Sequence, residues 1–163
     1  MLANGRQIVV RPIRPEDANI EQEFVRALSD ESRYYRFMDM LRELSPSMLT
    51  HLTQIDYRRH LALIAVTRVA ECDTQIAVGR YIAMGDDGDC EFAIVVADRW
   101  QRCGVATAVM QRLISAARAN GMRRMIGEVL SHNQKMLHFV ARLGFSIAMD
   151  PGDATMMRVT KTL

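Results

Sequence analysis

Trp100-Gln101-Arg102-Cys103-Gly104-Val105-Ala106 is the stretch of this 163-residue chain best suited to chemistry. It is a short polar loop with a single glycine, running from one patterned segment into the start of a helix. The first N–H groups of a helix have no partner within it, and the aligned peptide dipoles put partial positive charge there, so such a junction favours anions, phosphates above all. Gly104 lets the backbone approach a diphosphate closely, Ala106 is small enough to keep that approach open, and Arg99 and Arg102 add charge. The same residues also serve as an ordinary capped helix start, so the loop alone leaves both uses open. Upstream, Glu91 stands on a strand that runs toward the loop, either as a solvent-facing carboxylate or as a base. Downstream, Asn133 opens a second helix, where its side chain can cap the helix and also offer a donor and an acceptor to a ligand. Cys103 is a thiol in an electropositive loop, but no candidate base adjoins it in sequence, which argues against a covalent route.

The elements that must position these residues follow from pattern. Gln7 to Ile13 reads as a strand closed by Pro12 and Pro15, which cannot donate to a ladder. Pro15-Glu16-Asp17 suits a helix start, with Ile20, Phe24, Val25 and Leu28 at helical spacing. Ser29 to Met38 is a second helical piece, and Ser45-Pro46 caps a third that runs through Leu49, Leu52 and Ile55. His60 to Val69 and Gln75 to Met84 form a hairpin across Glu71 to Thr74, and Cys90 to Val96 adds a third strand after the turn cluster at residues 85–89. Val105, Val109, Leu113, Ala116 and Ala117 mark a helix from Gly104 that stops at Asn120-Gly121. Arg124 to Leu130 is a strand, Asn133 to Leu143 a helix ending at Gly144, and Phe145 to Met149 and Ala154 to Thr162 the last strands. The order is β-ααα-βββ-α-β-α-ββ.

Composition bounds the rest. Residues 49% apolar and 25% charged are ordinary for a globular protein, and 163 residues suit one domain over 1–163, large enough to bury a core without disulfides or metal. Cys72, Cys90 and Cys103 are odd in number and show no CxxC spacing, so neither a disulfide framework nor a metal site is expected. A formal net charge of +2 is too balanced to indicate nucleic-acid binding, and no apolar run reaches the roughly 18 residues of a membrane helix. A reducing cytoplasm fits.

Asp98-Arg99-Trp100-Gln101-Arg102-Cys103-Gly104-Val105-Ala106 resembles the pyrophosphate signature Q/R-x-x-G-x-G/A of the GNAT acetyltransferases. Asn133-Gln134-Lys135-Met136-Leu137 followed by Leu143-Gly144-Phe145 is similar to the second signature of that family. The resemblance spans roughly residues 6 to 162. It implies an α/β (α+β) fold with a central, mixed, mostly antiparallel sheet of about seven strands flanked by helices, and acetyl-CoA as donor. The cofactor residues it implies are Val95, Val96, Gln101, Arg102, Cys103, Gly104, Val105, Ala106, Thr107 and Asn133. A backbone N–H near Val95 or Val96, at a β-bulge, would meet the thioester carbonyl.

The N-terminal segments Arg11-Pro12-Ile13-Arg14-Pro15-Glu16-Asp17, Leu28-Ser29-Asp30-Glu31-Ser32 and Leu52-Thr53-Gln54-Ile55-Asp56-Tyr57 look like the catalytic domain of bacterial Pat-type protein lysine acetyltransferases. That closer resemblance implies Glu91 as general base and a protein acceptor such as an AMP-forming acyl-CoA synthetase, with the chain a monomer or a homodimer. The arginines concentrated in the first helices, Arg33, Arg36, Arg42, Arg58 and Arg59, suit either an acidic protein surface or an ordinary solvated helical face. Many relatives place a tyrosine acid at the position held here by Val140, so the acid is open among Tyr57, His132, His138, water and the thiol itself. A GNAT enzyme for a small amine or amino acid, and a non-catalytic acyl-CoA-binding module, are the alternatives the same cofactor site would serve.

Overall fold

A computed structural model describes residues 7–38, 42–69 and 71–163. Seven strands form one sheet: β1 (Val9–Pro12), β2 (His60–Val69), β3 (Cys72–Met84), β4 (Asp89–Val96), β5 (Arg124–Leu130), β6 (Ser146–Asp150) and β7 (Asp153–Thr162). Five helices accompany it: α1 (Ala18–Ala27), α2 (Asp30–Phe37), α3 (Pro46–Thr53), α4 (Val105–Ala119) and α5 (Gln134–Arg142). The sheet order is β1-β2-β3-β4-β5-β7-β6, antiparallel at every pairing except β4 with β5. This is the mixed, mostly antiparallel architecture and the element order expected from the sequence.

Ser45 and Asn133 cap their helices as expected, and Ser29 does the same for α2. Ser29 Oγ accepts from Ser32 N at 3.1 Å, Ser45 Oγ from Met48 N at 3.2 Å and Asn133 Oδ1 from Met136 N at 3.3 Å, so each satisfies one orphan donor at a helix start. Several boundaries differ, with β1 starting at Val9 and α3 ending at Thr53 among them. Pro15–Asp17 is a single 3-10 turn before α1, where Asp17 holds Arg11 through two hydrogen bonds of 2.7 and 2.8 Å and also accepts from Arg14 N. The β2–β3 turn is tighter than expected, because Cys72 already pairs with Val69 and Glu71 takes the left-handed conformation (φ 68°).

Alternation along the strands gives the sheet two buried faces. Cys90, Phe92, Ile94 and Val96 of β4 join Val105, Val109, Met110 and Leu113 of α4 and Leu137 and Val140 of α5 in one core. Val95, Val78, Ile64 and Ala62 face Phe24 and Val25 of α1 and Leu52 of α3 in the other. Val109, Met110 and Leu113 are fully buried; at about 1.5–3 kcal/mol each, their burial fixes α4, and with it the loop ahead of it, far more firmly than a surface contact could. Among the described residues, no helix is long and apolar enough to cross a membrane.

Candidate active site

Strands β4 and β5 pair only at Asp89↔Arg124, Cys90↔Met125 and Glu91↔Ile126. Beyond Glu91, β5 continues beside β7 through Leu130, and β4 continues beside β3 to Val96. The two therefore part company, leaving a wedge with its apex at the Glu91↔Ile126 pair and one edge of β4 unpaired from Phe92 onward. Phe92 marks the apex on the α4/α5 side. Its ring lies over Gly127, where an added Cβ would come within 2.4 Å of Cε1, and it packs on the Phe145 ring at 5.1 Å between centroids, tilted by 49°. Residue 127 has to be glycine for the ring to lie there.

The wide end of the wedge opens beside the loop singled out from sequence. Arg102 and Gly104 both adopt left-handed backbone (φ 63° and 90°), Gly104 is the N-cap of α4, no side chain caps that helix, and its first turn carries no acid. A fifteen-residue helix with its first N–H groups and dipole unopposed is the geometry an oxyanion needs. Gln101, Arg102, Gly104 and Thr107 are exposed, Cys103 and Ala106 are half-buried, and Val105 is buried. The diphosphate of an acyl-CoA fits this donor set. Gln101 Nε2 donates to Val96 O at 3.1 Å and so steadies the turn out of β4. The Cys103 thiol donates to Trp100 O at 2.8 Å, a structural use.

Asn133 stands across the mouth of the wedge, 9% exposed, with its N–H on Leu130 O at 2.9 Å and its Oδ1 engaged as the cap of α5. Its side-chain NH2 is the group left to offer a ligand. Asp98, named in sequence only as part of a lead-in, ties the loop to α2: it accepts from Ser29 N at 3.0 Å, Ser29 Oγ at 2.8 Å and Ser32 Oγ at 3.0 Å. Tyr35 of α2 in turn packs against His132 beyond β5, with ring centroids 5.6 Å apart and the planes tilted by 51°. Helix α2 is thus anchored on both sides of the wedge.

Glu91 is exposed on the face covered by α1 to α3, between Ile82 of β3 and Ile126 of β5. Nearby, burial pulls the Arg36 guanidinium down to about 10, helped by the charge of Arg80 and opposed by Glu21 and Glu91. Arg80 is 2% exposed; its Nη1 donates to Leu52 O and meets His60 Nε2, both at 3.0 Å, while its Nη2 lies 3.9 Å from Glu21. Arg80 carries no local sequence signal of a role in the site. It is a single charge inside the apolar run Ile76 to Ile82, and its partners lie 20 to 59 positions away.

Burial, with Arg80 and His51 beside it, pushes His60 down to about 4, against a weaker pull from Asp56. The folded value thus lies below the unfolded value of about 6.5, so between about pH 6.5 and 4 the unfolded chain binds the additional proton and stability falls as pH falls. The melting temperature should decline across this window. His60→Gln should flatten the decline, and an unchanged pH slope in that variant would remove His60 from the account. Asp17 and Asp98, where hydrogen bonds outweigh burial and hold both carboxyls below their usual range, act at lower pH and do not blur the test.

Two expectations do not hold. The β3–β4 register is regular from Ala77↔Val96 to Met84↔Asp89, so the edge near Val95 and Val96 opens by divergence from β5; the register shifts of the sheet lie elsewhere, between Ala65 and Val66 of β2 and between Met149 and Asp150 of β6. Arg33 is not a docking residue. It is 9% exposed, and its guanidinium is spent on the carbonyls of Val25, Arg26 and Leu28 and on Asp30. Tyr57 is engaged elsewhere, donating to Ile13 O at 2.6 Å, and Val140 is wholly buried, so neither position offers an acid to the wedge. Val95 and Val96 are each 8% exposed and could meet a ligand only through their backbone.

The model of the Acetyltransferase (GNAT) family matches residues 23–145. An acetyltransferase of Pseudomonas aeruginosa is 35% identical over 154 residues, covering 94% of this chain and 83% of that protein. Acetyltransferase Pat of Mycolicibacterium smegmatis is 28% identical over 141 residues, which span 86% of this chain and 41% of the relative. The crystal structure of the GNAT domain of S. lividans PAT superposes with a TM-score of 0.90 at 30% identity, covering 99% of this chain and 94% of that one.

Proposed function

Because the chain belongs to the GNAT family of acetyltransferases, we propose that it transfers acetyl from acetyl-CoA directly to a lysine amine of a folded protein. The Pat-like segments at its N-terminus favour an AMP-forming acyl-CoA synthetase as the acceptor class; on length and cysteine usage the chain would work as a single domain over residues 1–163 in the cytoplasm, as monomer or homodimer. The observation that carries this reading is the wedge, which leads from an unopposed helix N-terminus to a carboxylate at its apex.

Acetyl-CoA supplies the activated thioester. Backbone N–H groups between Arg102 and Thr107, with the Arg102 charge, hold its diphosphate, and Asn133 with the open edge of β4 orients its arm. A backbone N–H near Val95 or Val96 polarises the carbonyl oxygen. Glu91 accepts the proton of the incoming ammonium. Arg36, a cation over the same face, disfavours a second positive charge there and so assists that proton's departure. The tie from Asp98 to α2 keeps the cofactor loop and the acceptor helix in one frame.

A protein acceptor should be distinguishable from a small amine by its remote contacts, whose binding energy raises kcat/KM without touching the reacting atoms. Purified synthetases incubated with the enzyme and acetyl-CoA should be acetylated at one lysine, read by mass spectrometry, far better than a short lysine peptide or a polyamine. A free amine with the higher kcat/KM would transfer the assignment to small-molecule acetylation. Tight acetyl-CoA binding without turnover on any amine would make the chain a binding module.

A further inference from the structure

We infer that Tyr35 is the acid that protonates the departing sulfur, an inference that rests on the acetyl-transfer reading and deepens it. Ser32, Tyr35 and Arg36 stand at i, i+3 and i+4 on α2 and so share one face of that helix. Ser32 looks toward the diphosphate loop, its Oγ donating to Asp98 at 3.0 Å and accepting from Gln101 Nε2 at 3.5 Å. Arg36 looks toward the base, close enough for the Glu91 charge to act on it. Tyr35 lies between them. A thioester whose diphosphate sits at the loop and whose acceptor is deprotonated at Glu91 must pass beneath this same stretch of helix.

The Tyr35 side chain also spans the gap between the strands. Helix α2 packs against β4, one wall of the wedge, while the ring reaches His132, just beyond the end of β5, the other wall. It therefore crosses the wide end of the wedge, where β4 and β5 have parted. Tyr35 is half-buried, and among the described residues its hydroxyl has no hydrogen-bond partner and is not sealed from solvent. The rival acids are committed or misplaced. Tyr57 and Tyr81 donate to the carbonyls of Ile13 and Arg58, and His138 belongs to α5, across the sheet.

In the step, the lysine nitrogen, having given one proton to Glu91, bonds to the carbonyl carbon. The carbon–sulfur bond breaks with its electron pair on sulfur, which takes the Tyr35 proton. The second proton shed by nitrogen returns to the phenolate, and Glu91 releases its own to solvent. A donor aimed at sulfur strengthens as charge develops there, so it lowers the barrier without adding to ground-state affinity.

The test compares wild type with Tyr35→Phe, Tyr34→Phe and His132→Leu. It reads acetyl-CoA affinity by calorimetry and the single-turnover rate on whichever of a purified acyl-CoA synthetase, a lysine peptide or a polyamine the wild type acetylates. Phenylalanine removes one oxygen and keeps the ring against His132, so the fold is not at stake. Tyr35→Phe should hold acetyl-CoA affinity within about threefold and lose about 10²-fold in rate, the low end for a general acid because a thiolate departs readily. Tyr34→Phe, whose ring is exposed, should match wild type. His132→Leu should lose less than Tyr35→Phe, since it removes the support of the ring and leaves the proton. An unimpaired Tyr35→Phe would overturn the inference, as would a larger loss in His132→Leu, which would put the proton on the imidazole. So would a Tyr35→Phe that binds acetyl-CoA far more weakly, which would make Tyr35 a binding contact. All three leave the acetyl-transfer reading standing. A wild type that acetylates none of the acceptors refutes that reading, and this inference with it.

Discussion

Gly104→Glu is expected to abolish acetyl-CoA binding while leaving the fold in place. Residue 104 has φ 90°, a conformation that costs little for glycine and strains a residue with a Cβ. It is also exposed at the N-cap of α4, so the new side chain would stand where the diphosphate is proposed to sit and repel it as a like charge. An acidic group at a helix N-terminus is favourable to the helix itself, which separates the effect on binding from any effect on α4. Loss of two charge-assisted hydrogen bonds, at about 1.5–3 kcal/mol each, corresponds to about 10²–10⁴-fold in affinity before repulsion is counted. Titration calorimetry decides the matter: unchanged acetyl-CoA affinity in a folded Gly104→Glu protein would dismiss the loop as the diphosphate site.

Replacing Glu91 by Gln should leave acetyl-CoA affinity nearly unchanged and lower turnover by about 10²–10⁴-fold at neutral pH. A lysine ammonium has an ordinary pKa of about 10.4, so only about one in 2,500 is neutral at pH 7, and a positioned carboxylate relieves that deficit. Glutamine preserves the shape but cannot take the proton. Part of the rate should return as pH rises and solvent itself supplies neutral amine. Glu91 is exposed at the wedge apex, so the substitution disturbs neither core nor hydrogen-bond ladder, and a kinetic change can be read as chemistry rather than misfolding. Near-wild-type turnover at neutral pH, with chemistry rate-limiting, would make Glu91 a bystander.

The sequence by itself determined what is decided within a few residues along the chain. Apolar spacing placed α4 and β5 to within a residue of their ends, and Ser45 and Asn133 cap the helices they were expected to cap. Strand period, helix period and caps are set by neighbours up to about four positions apart, and those neighbours are in plain view. Only the tertiary structure decided how far β4 and β5 stay together, since their pairing joins residues 35 apart and ends where Phe92 finds Gly127. It likewise decided that Arg33 turns inward while Arg42 stays out, that Asp98 reaches 66 to 69 positions back to the start of α2, and that Arg80 meets Glu21 and His60 beneath the sheet. Such contacts depend on which faces the chain brings together after its loops have closed. A charged residue looks the same in sequence whether the fold will bury it against three carbonyls or leave it in water.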